Sequence, residues 1–230
     1  MSNKLFFLIF LSVFSSDLQA SGLTLNATRL IYQGNMKEAS VMLRNNIQDT
    51  PHLIQSWVSV FNGDEVSGIP FITTPPLFKL ASESEMPVRV VYIGSDNSAL
   101  KDDRESLFLL NIRAIPAVEK MKNPARLTIA TQNIIKLIYR PKGLSQKDAS
   151  EAGEKLKITA KRKEIIFKNP TPYVVTLTSV TIDGQKIERG KTILPYSSQN
   201  ISVQASEPRV VSWSTINDWG GITPLRTIKL

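Results

Sequence analysis

The chain has 230 residues, a formal net charge of +8 and no cysteine. The lack of cysteine excludes a disulfide framework and a thiolate nucleophile, so the burial of apolar side chains has to stabilise the fold. A basic balance attracts nucleic acid, anionic membrane surfaces and acidic polypeptides alike, so the charge alone does not select a partner.

The first residues have the pattern of a secretory signal peptide. Lys4 precedes a run over residues 5–14 that is apolar except for Ser12, and the small or neutral residues Leu18-Gln19-Ala20 follow before Ser21. A basic start, an apolar core and a small-residue cleavage site predict a signal peptide at residues 1–20, cleaved after Ala20. The run is about half of the length that crosses a bilayer, and no later segment is apolar and long enough to do so. The mature chain is therefore expected to be exported, without membrane insertion.

Residues 23–139 are predicted to form strands almost throughout. Short runs of alternating apolar and polar residues recur, and turn signals separate them near Gly34, Gly63 and Gly94. About seven strands at such spacing are typical of a β-sandwich.

The last of these runs, LTIATQNIIKLIYRP over residues 127–141, is predicted to hold a long strand at 127–139 whose exposed half is apolar and whose middle carries Lys136. Soluble proteins normally avoid an open apolar strand edge, because such an edge pairs with other chains. Keeping one predicts that this edge binds a partner.

A break follows the long strand at residues 140–144, and a second set of strands begins after a polar stretch. The one possible helical stretch, around residues 145–155, is short and is interpreted as linker. Asp183-Gly184 is a type I′ hairpin signal. The pattern predicts an all-β chain with an N-terminal domain at 21–140, a linker at 141–147 and a C-terminal domain at 148–230.

Five blocks of the sequence resemble the PapD-like family of periplasmic pilus chaperones. They cover almost the whole mature chain in the family's order: Thr28-Arg29, DRESLFLLNIRAIP at 103–116, IKLIYRP at 135–141, NPTPY at 169–173 and INDWGG at 216–221. The resemblance implies two immunoglobulin-like β-sandwich domains arranged as an L with a cleft between them. It also implies a chaperone that binds and folds pilin subunits and delivers them to an outer-membrane usher.

In this family, the chaperone lends a strand to a pilin that lacks its own last strand, which is donor-strand complementation. The resemblance assigns Leu127, Ile129 and Thr131 to the pilin groove, where side chains at period two would fill pockets. Thr131 departs from the large apolar residue that is usual at its position. We therefore expect one pocket to be filled less well, with the binding mode unchanged.

Arg29 and Lys136 match the two family cations that hold the C-terminal carboxylate of the subunit. Charge-assisted hydrogen bonds from two cations to one carboxylate would set the register of the bound strand. Residues 127, 129 and 131 have odd parity, whereas Lys136 is even. An ideal pleat would place them on opposite faces, so we expect a bulge near Gln132 and Asn133, or strong twist.

Other matches concern structure and delivery. Glu105, Arg140 and Asp218 match an interdomain ion network, and Pro75 follows Thr74 where the family often has a cis-proline near the usher-binding surface. The connection at residues 117–126 is short, which resembles the short-loop subclass that assembles rod-like pili. The bound complex is expected to hold one chaperone chain and one subunit.

The sequence offers little support for an enzymatic function. His52 is the only histidine and is expected at the surface of a turn, so neither a catalytic triad nor a metal site is predicted. No phosphate-binding glycine loop occurs, and no cofactor is expected. A secreted two-domain immunoglobulin-like binding or adhesive protein is the alternative, and it would need neither the apolar edge nor the paired cations. Nucleic acid is not an expected partner, because nothing beyond net charge favours it.

Overall fold

The computed structural model describes residues 22–62, 68–94, 100–117, 128–187, 190–203 and 208–230. Within these ranges the chain is almost entirely β-structure, with two separate hydrophobic cores. No helix in the described part is long and apolar enough to cross a membrane.

The N-terminal domain is a sandwich of two sheets. One sheet has the strand order β1-β3-β7-β5, and the other has the order β2-β9-β8-β4-β6. The strands are β1 (Leu23–Leu25), β2 (Arg29–Gln33), β3 (Glu38–Asn45), β4 (His52–Val60), β5 (Phe71–Thr74), β6 (Leu77–Leu80), β7 (Ser84–Tyr92), β8 (Ser106–Pro116) and β9 (Thr131–Arg140).

Alternation along these strands builds the first core. Val41 and Leu43 of β3 point inward, and Ile54 and Val58 of β4 meet them from the opposite sheet. Side chains at period two share one face of a strand, so each sheet covers the other with one apolar face.

His52 does not lie in an exposed turn, and that expectation is wrong. It is the first residue of β4, it is 5% exposed, and its Nδ1 lies 3.0 Å from the carbonyl oxygen of Thr50. The strand begins one residue after Pro51, so His52 takes the inward parity that it shares with Ile54. The imidazole is part of the packing of this domain.

The C-terminal domain is a second sandwich. One sheet has the order β10-β11-β15, and the other has the order β13-β12-β16-β17, with β14 also paired to β12. The strands are β10 (Lys157–Lys161), β11 (Glu164–Lys168), β12 (Val175–Ile182), β13 (Gln185–Lys186), β14 (Thr192–Ile193), β15 (Ser198–Ser202), β16 (Val210–Thr215) and β17 (Arg226–Lys229). Asp183 and Gly184 both have positive φ and join β12 to β13, as a type I′ turn requires.

A short helix, α1 (Gln146–Glu151), and a 3₁₀ turn (Ala152–Glu154) precede β10. The Ser145 side chain caps α1 by accepting a hydrogen bond from the backbone N–H of Asp148. Ala152 and Leu156 are buried in the second core. The stretch that was interpreted as linker is thus a packed part of the C-terminal domain.

Candidate functional site

Strand β9 has one edge that is only half covered. On one side it pairs with β8 from Thr131 to Tyr139, and on the other side β2 pairs only with the part from Lys136 to Arg140. Among the described residues, none pairs with residues 131–135 on that second side. Backbone N–H and C=O groups along an uncovered edge can accept a further strand.

Exposed apolar side chains accompany this open edge. Ile129 is 66% exposed and Ile134 is 53% exposed, while Thr131 is also exposed. Leu127 lies outside the described residues, and residues 128–130 are not in a strand. The strand therefore begins at Thr131, four residues later than the sequence indicates, because the segment before it has no neighbour to pair with in the described part of the chain.

The expected bulge is absent, and that prediction is wrong. Nine successive residue pairs join β9 to β8 without a shift of register. Ile135 and Leu137 face the first core, so Thr131 shares their face of the strand while Lys136 lies on the other. No bulge is needed to bring the cations together, because parallel pairing of β2 with β9 sets Arg29 directly beside Lys136.

The two cations lie at the junction of the domains. Arg29 is 7% exposed, and its Nη1 donates a hydrogen bond to the carbonyl oxygen of Ile216 over 3.1 Å. The Nζ of Lys136 donates to the Oγ1 of Thr176 over 3.0 Å. Both acceptors belong to the C-terminal domain, and both cations belong to the N-terminal domain.

Neither cation has a carboxylate in salt-bridge distance among the described residues. The Nε of Arg29 is buried and has no hydrogen-bond partner there. Burial lowers the pKa of Lys136 to about 8, and the positive charge of Arg29 adds to the shift. Burial also lowers the pKa of Arg29, and the charge of Asp218 offsets only part of that. Such a pair favours a bound anion, since a counter-charge would relieve both effects.

Glu105, Arg140 and Asp218 come together a short distance from the cation pair. The Nε of Arg140 donates to Glu105 over 2.6 Å, and its two terminal nitrogens donate to both oxygens of Asp218 over 2.8 and 3.0 Å. Arg140 and Glu105 are each about 1% exposed at the side chain. Since Asp218 belongs to the C-terminal domain, this bidentate pair crosses the domain junction.

Further contacts cross the junction beside this network. The backbone N–H of Val174 donates to Glu105 over 2.6 Å, and the backbone N–H of Glu105 donates to the carbonyl oxygen of Pro172 over 2.9 Å. The guanidinium of Arg104 stacks over the Tyr196 ring at 4.8 Å from its centroid. The junction is thus held by both side-chain and backbone groups.

The Thr74–Pro75 peptide bond is cis and lies between β5 and β6. The hydroxyl of Ser56 donates to the carbonyl oxygen of Pro75 over 3.1 Å, and the Ser56 N–H donates to that of Pro76. Pro75 is therefore far along the sheet from the cation pair, on the β6 side. No group of three or more possible metal ligands occurs in the described ranges.

Sequence reasoning missed Thr176 and the carbonyl group of Ile216. Thr176 looks like any other polar residue in an alternating strand, and its contact with Lys136 spans 40 positions. Ile216 begins the INDWGG segment that resembles the family, but the sequence does not indicate that its backbone carbonyl oxygen accepts a hydrogen bond. Only the docking of the two domains identifies these acceptors.

Two family models together match most of the chain. The model for "Pili and flagellar-assembly chaperone, PapD N-terminal domain" matches residues 22–145, and the model for "Pili assembly chaperone PapD, C-terminal domain" matches residues 151–227.

Individual relatives agree with these models. The chain is 41% identical to the probable fimbrial chaperone protein ElfD of Escherichia coli, over 90% of this chain and 87% of that protein. It is 34% identical to the chaperone protein FimC of Escherichia coli, over 96% and 89% of the two chains. A chain in the solved complex of the Salmonella enterica SafA pilin with the SafB chaperone has a TM-score of 0.81 and 28% identity, with 92% and 98% covered.

Proposed function

The chain belongs to the PapD-like family of pili assembly chaperones, and from this membership we propose how its open edge and its cation pair act on pilus subunits. The protein is a periplasmic chaperone for pilus (fimbrial) subunits and is not an enzyme. The observation that carries the proposed mechanism is the uncovered edge of β9 beside two buried cations that have no carboxylate partner in the described structure.

Strand addition is the proposed mode of binding. A pilin that lacks its last strand has unpaired backbone groups and an open apolar groove, both costly in water. The edge at residues 131–135 would supply the backbone hydrogen bonds, and Leu127, Ile129 and Thr131 would occupy the groove. Each large apolar side chain buried there contributes roughly 1.5–3 kcal/mol before the cost of ordering the segment. Residues 128–130, which are not in a strand in the described structure, would become strand on binding.

The cation pair is the proposed anchor for the C-terminal carboxylate of the subunit. Arg29 has one terminal nitrogen occupied by Ile216, and Lys136 has one of its three N–H groups directed at Thr176. Donors therefore remain for an anion at the same place. A carboxylate that satisfies both cations can sit at one position only, so it would set the register of the added strand.

Delivery to an outer-membrane usher and membership of the short-loop subclass are further parts of the proposal. Both rest on the resemblance, since the short connection after β8 falls largely outside the described residues. The signal peptide at residues 1–20 also lies outside them, and its removal after Ala20 remains a prediction.

Coexpression with a pilin subunit encoded beside the chaperone gene tests the anchor. We expect wild type to give a soluble one-to-one complex that protects the subunit from proteolysis. Arg29→Ala and Lys136→Ala should each lose at least about 1.5–3 kcal/mol of binding, which is the range for a hydrogen bond to a charged group. The measurement is the yield of purified complex and the half-life of the subunit under protease.

Lys161→Ala is the matched control, because Lys161 is an exposed strand lysine of the C-terminal domain with no ion pair in the described structure. It should behave as wild type. If the Arg29 and Lys136 variants protect the subunit as well as wild type does, the carboxylate anchor is wrong. If even wild type forms no complex with its pilin, the proposed strand-addition mechanism fails.

A further inference from the structure

Both cations of the proposed anchor are bonded to the C-terminal domain even though they belong to the N-terminal one. The Lys136 Nζ reaches the Thr176 hydroxyl on β12, and the Arg29 Nη1 reaches the carbonyl oxygen of Ile216 just after β16. Thr176 is itself buried, at 6% exposure. The acceptor of this bond is thus largely shielded from solvent.

The two acceptors are also joined to each other. The backbone N–H of Ile216 donates to the carbonyl oxygen of Thr176 over 3.0 Å. On the opposite side, Arg29 and Lys136 are neighbours in the parallel β2–β9 pair. Two adjacent cations therefore face two adjacent acceptors, and each side is fixed by the hydrogen bonds of its own sheet.

We propose that Thr176 is a positioning residue for the carboxylate anchor: its hydroxyl holds the ammonium group of Lys136 beside Arg29, so that the anchor is complete only when the two domains are docked. This inference rests on the proposed function, because it concerns the same anion site. It assigns the C-terminal domain a direct part in recognising the end of the subunit.

A positioning group is needed here for physical reasons. The lysine side chain has four flexible methylene groups, and the positive charge of Arg29 repels its ammonium group. The β8 residue opposite Lys136 is Leu109, which offers no counter-charge. The charge of Asp218 acts on Arg29, but this carboxylate is already bound by Arg140 in a bidentate pair. The Thr176 oxygen is the one side-chain acceptor that Lys136 has in the described structure.

Thr176→Val removes the hydroxyl with little change of volume, and Thr176→Ser restores it. Thr181→Val is the matched control on the same strand, because Thr181 has no side-chain hydrogen bond in the described structure. Two measurements are made on each mature full-length protein. One is NMR titration of the Lys136 side chain without ligand. The other is the affinity for a synthetic peptide of the pilin C-terminal strand, prepared with a terminal carboxylate and with a terminal carboxamide.

We expect Thr176→Val to lower the pKa of Lys136 further, since the ammonium form loses its acceptor, and to cut the preference for the carboxylate peptide about tenfold. Thr176→Ser should recover both values, and Thr181→Val should change neither. Urea unfolding of each variant separates these effects from a loss of the folded domain.

The inference is overturned if Thr176→Val keeps the carboxylate preference while Lys136→Ala loses it, and the anchor itself then stands. If wild type does not distinguish the carboxylate peptide from the carboxamide peptide, the anchor is wrong, and the inference fails with it. The two failures are therefore distinguishable.

Discussion

Arg29 and Lys136 are placed where two positive charges oppose each other. They are neighbours across two strands, largely removed from water, and the described residues offer them only a hydroxyl and a carbonyl oxygen. Burying a charge without a counter-charge costs free energy. The pair should therefore lower the stability of the unbound chaperone, and the proposed carboxylate ligand would explain why it is present.

The titration of Lys136 should appear in the stability of the unbound protein. Its pKa is about 8 in the folded chain against an ordinary value of 10.5. Between these two values the unfolded chain holds a proton that the folded chain has lost, so the free energy of unfolding should rise with pH across this window. Below about pH 8 Lys136 is protonated in both the folded and the unfolded chain, and the cost of burying its charge is fully present.

Lys136→Met should remove this rise and stabilise the unbound protein at neutral pH. Urea denaturation of wild type and variant at a series of pH values from neutral to about 10.5 measures the free energy of unfolding. Subtracting the variant's pH curve from that of wild type removes the contributions of the other titrating groups. Parallel curves over the whole range would show that Lys136 is not perturbed as described.

Strand β9 divides into two halves with different tasks. The half that β2 covers is central in the N-terminal sheet, with Leu137 fully buried. The other half has a neighbour on one side only among the described residues. Strands with one open side usually carry charges or proline against unwanted pairing. Here Ile134 and Ile129 are exposed instead, which is consistent with the proposed donation of this strand.

The sequence was sufficient to predict this strand and its apolar edge, but not where the strand begins or how it is registered. The alternation of Ile135 and Leu137 with polar positions is a local signal, which is why the strand was predicted. Its start depends on whether residues 128–130 have a pairing partner, and that is a tertiary property. The predicted bulge rested on the assumption that Lys136 must share a face with Thr131, whereas pairing with β2 alone aligns Lys136 with Arg29.

Thr131→Leu should strengthen subunit binding. Thr131 is exposed at the start of the open edge, and a leucine there would add buried methylene groups in the pilin groove at about 0.8 kcal/mol each. We expect dissociation of the complex to slow about tenfold, which corresponds to about 1.4 kcal/mol. The dissociation rate can be measured by exchange of the bound chaperone against labelled free chaperone, or by surface plasmon resonance with immobilised subunit.

Ala130→Leu is the control for this substitution, since residue 130 is also exposed and has the opposite parity along the chain. It adds similar apolar surface without a pocket to receive it. An equal gain from both variants would mean that general hydrophobicity, and not insertion at position 131, strengthens the complex.

The two domains are joined by a buried polar junction and not by a shared apolar core. Each core is built from residues of its own domain. The links between the domains include the Arg140–Asp218 pair, the Glu105–Val174 bond and the two cation contacts. Turn signals and strand periods predicted two β-sandwiches, because those features are local. The acceptors on the C-terminal side could not be predicted in this way, since contacts such as Lys136–Thr176 exist only after docking.

Arg140→Met tests how strongly the junction couples the domains. It leaves the buried Glu105 without its cation and breaks the bond to Asp218, and removing one partner of a buried pair costs about 3–5 kcal/mol. Trp57 reports on the N-terminal domain and Trp213 on the C-terminal core, so ¹⁹F NMR of fluorotryptophan-labelled protein follows both during urea unfolding. We expect one common transition in wild type. In the variant the Trp57 signal should be lost at lower urea than the Trp213 signal.

Arg44→Met is the matched control, because Arg44 forms a short but exposed ion pair with Glu85 inside the N-terminal domain. Surface pairs of this kind contribute about 0–1 kcal/mol, so both signals should still be lost together. If Arg140→Met also leaves the two transitions superimposed, the backbone and cation contacts suffice to couple the domains. The Glu105–Arg140–Asp218 network would then be dispensable for the coupling. If the transitions separate as expected, the network holds Thr176 and Ile216 against the two cations, because those contacts require docked domains.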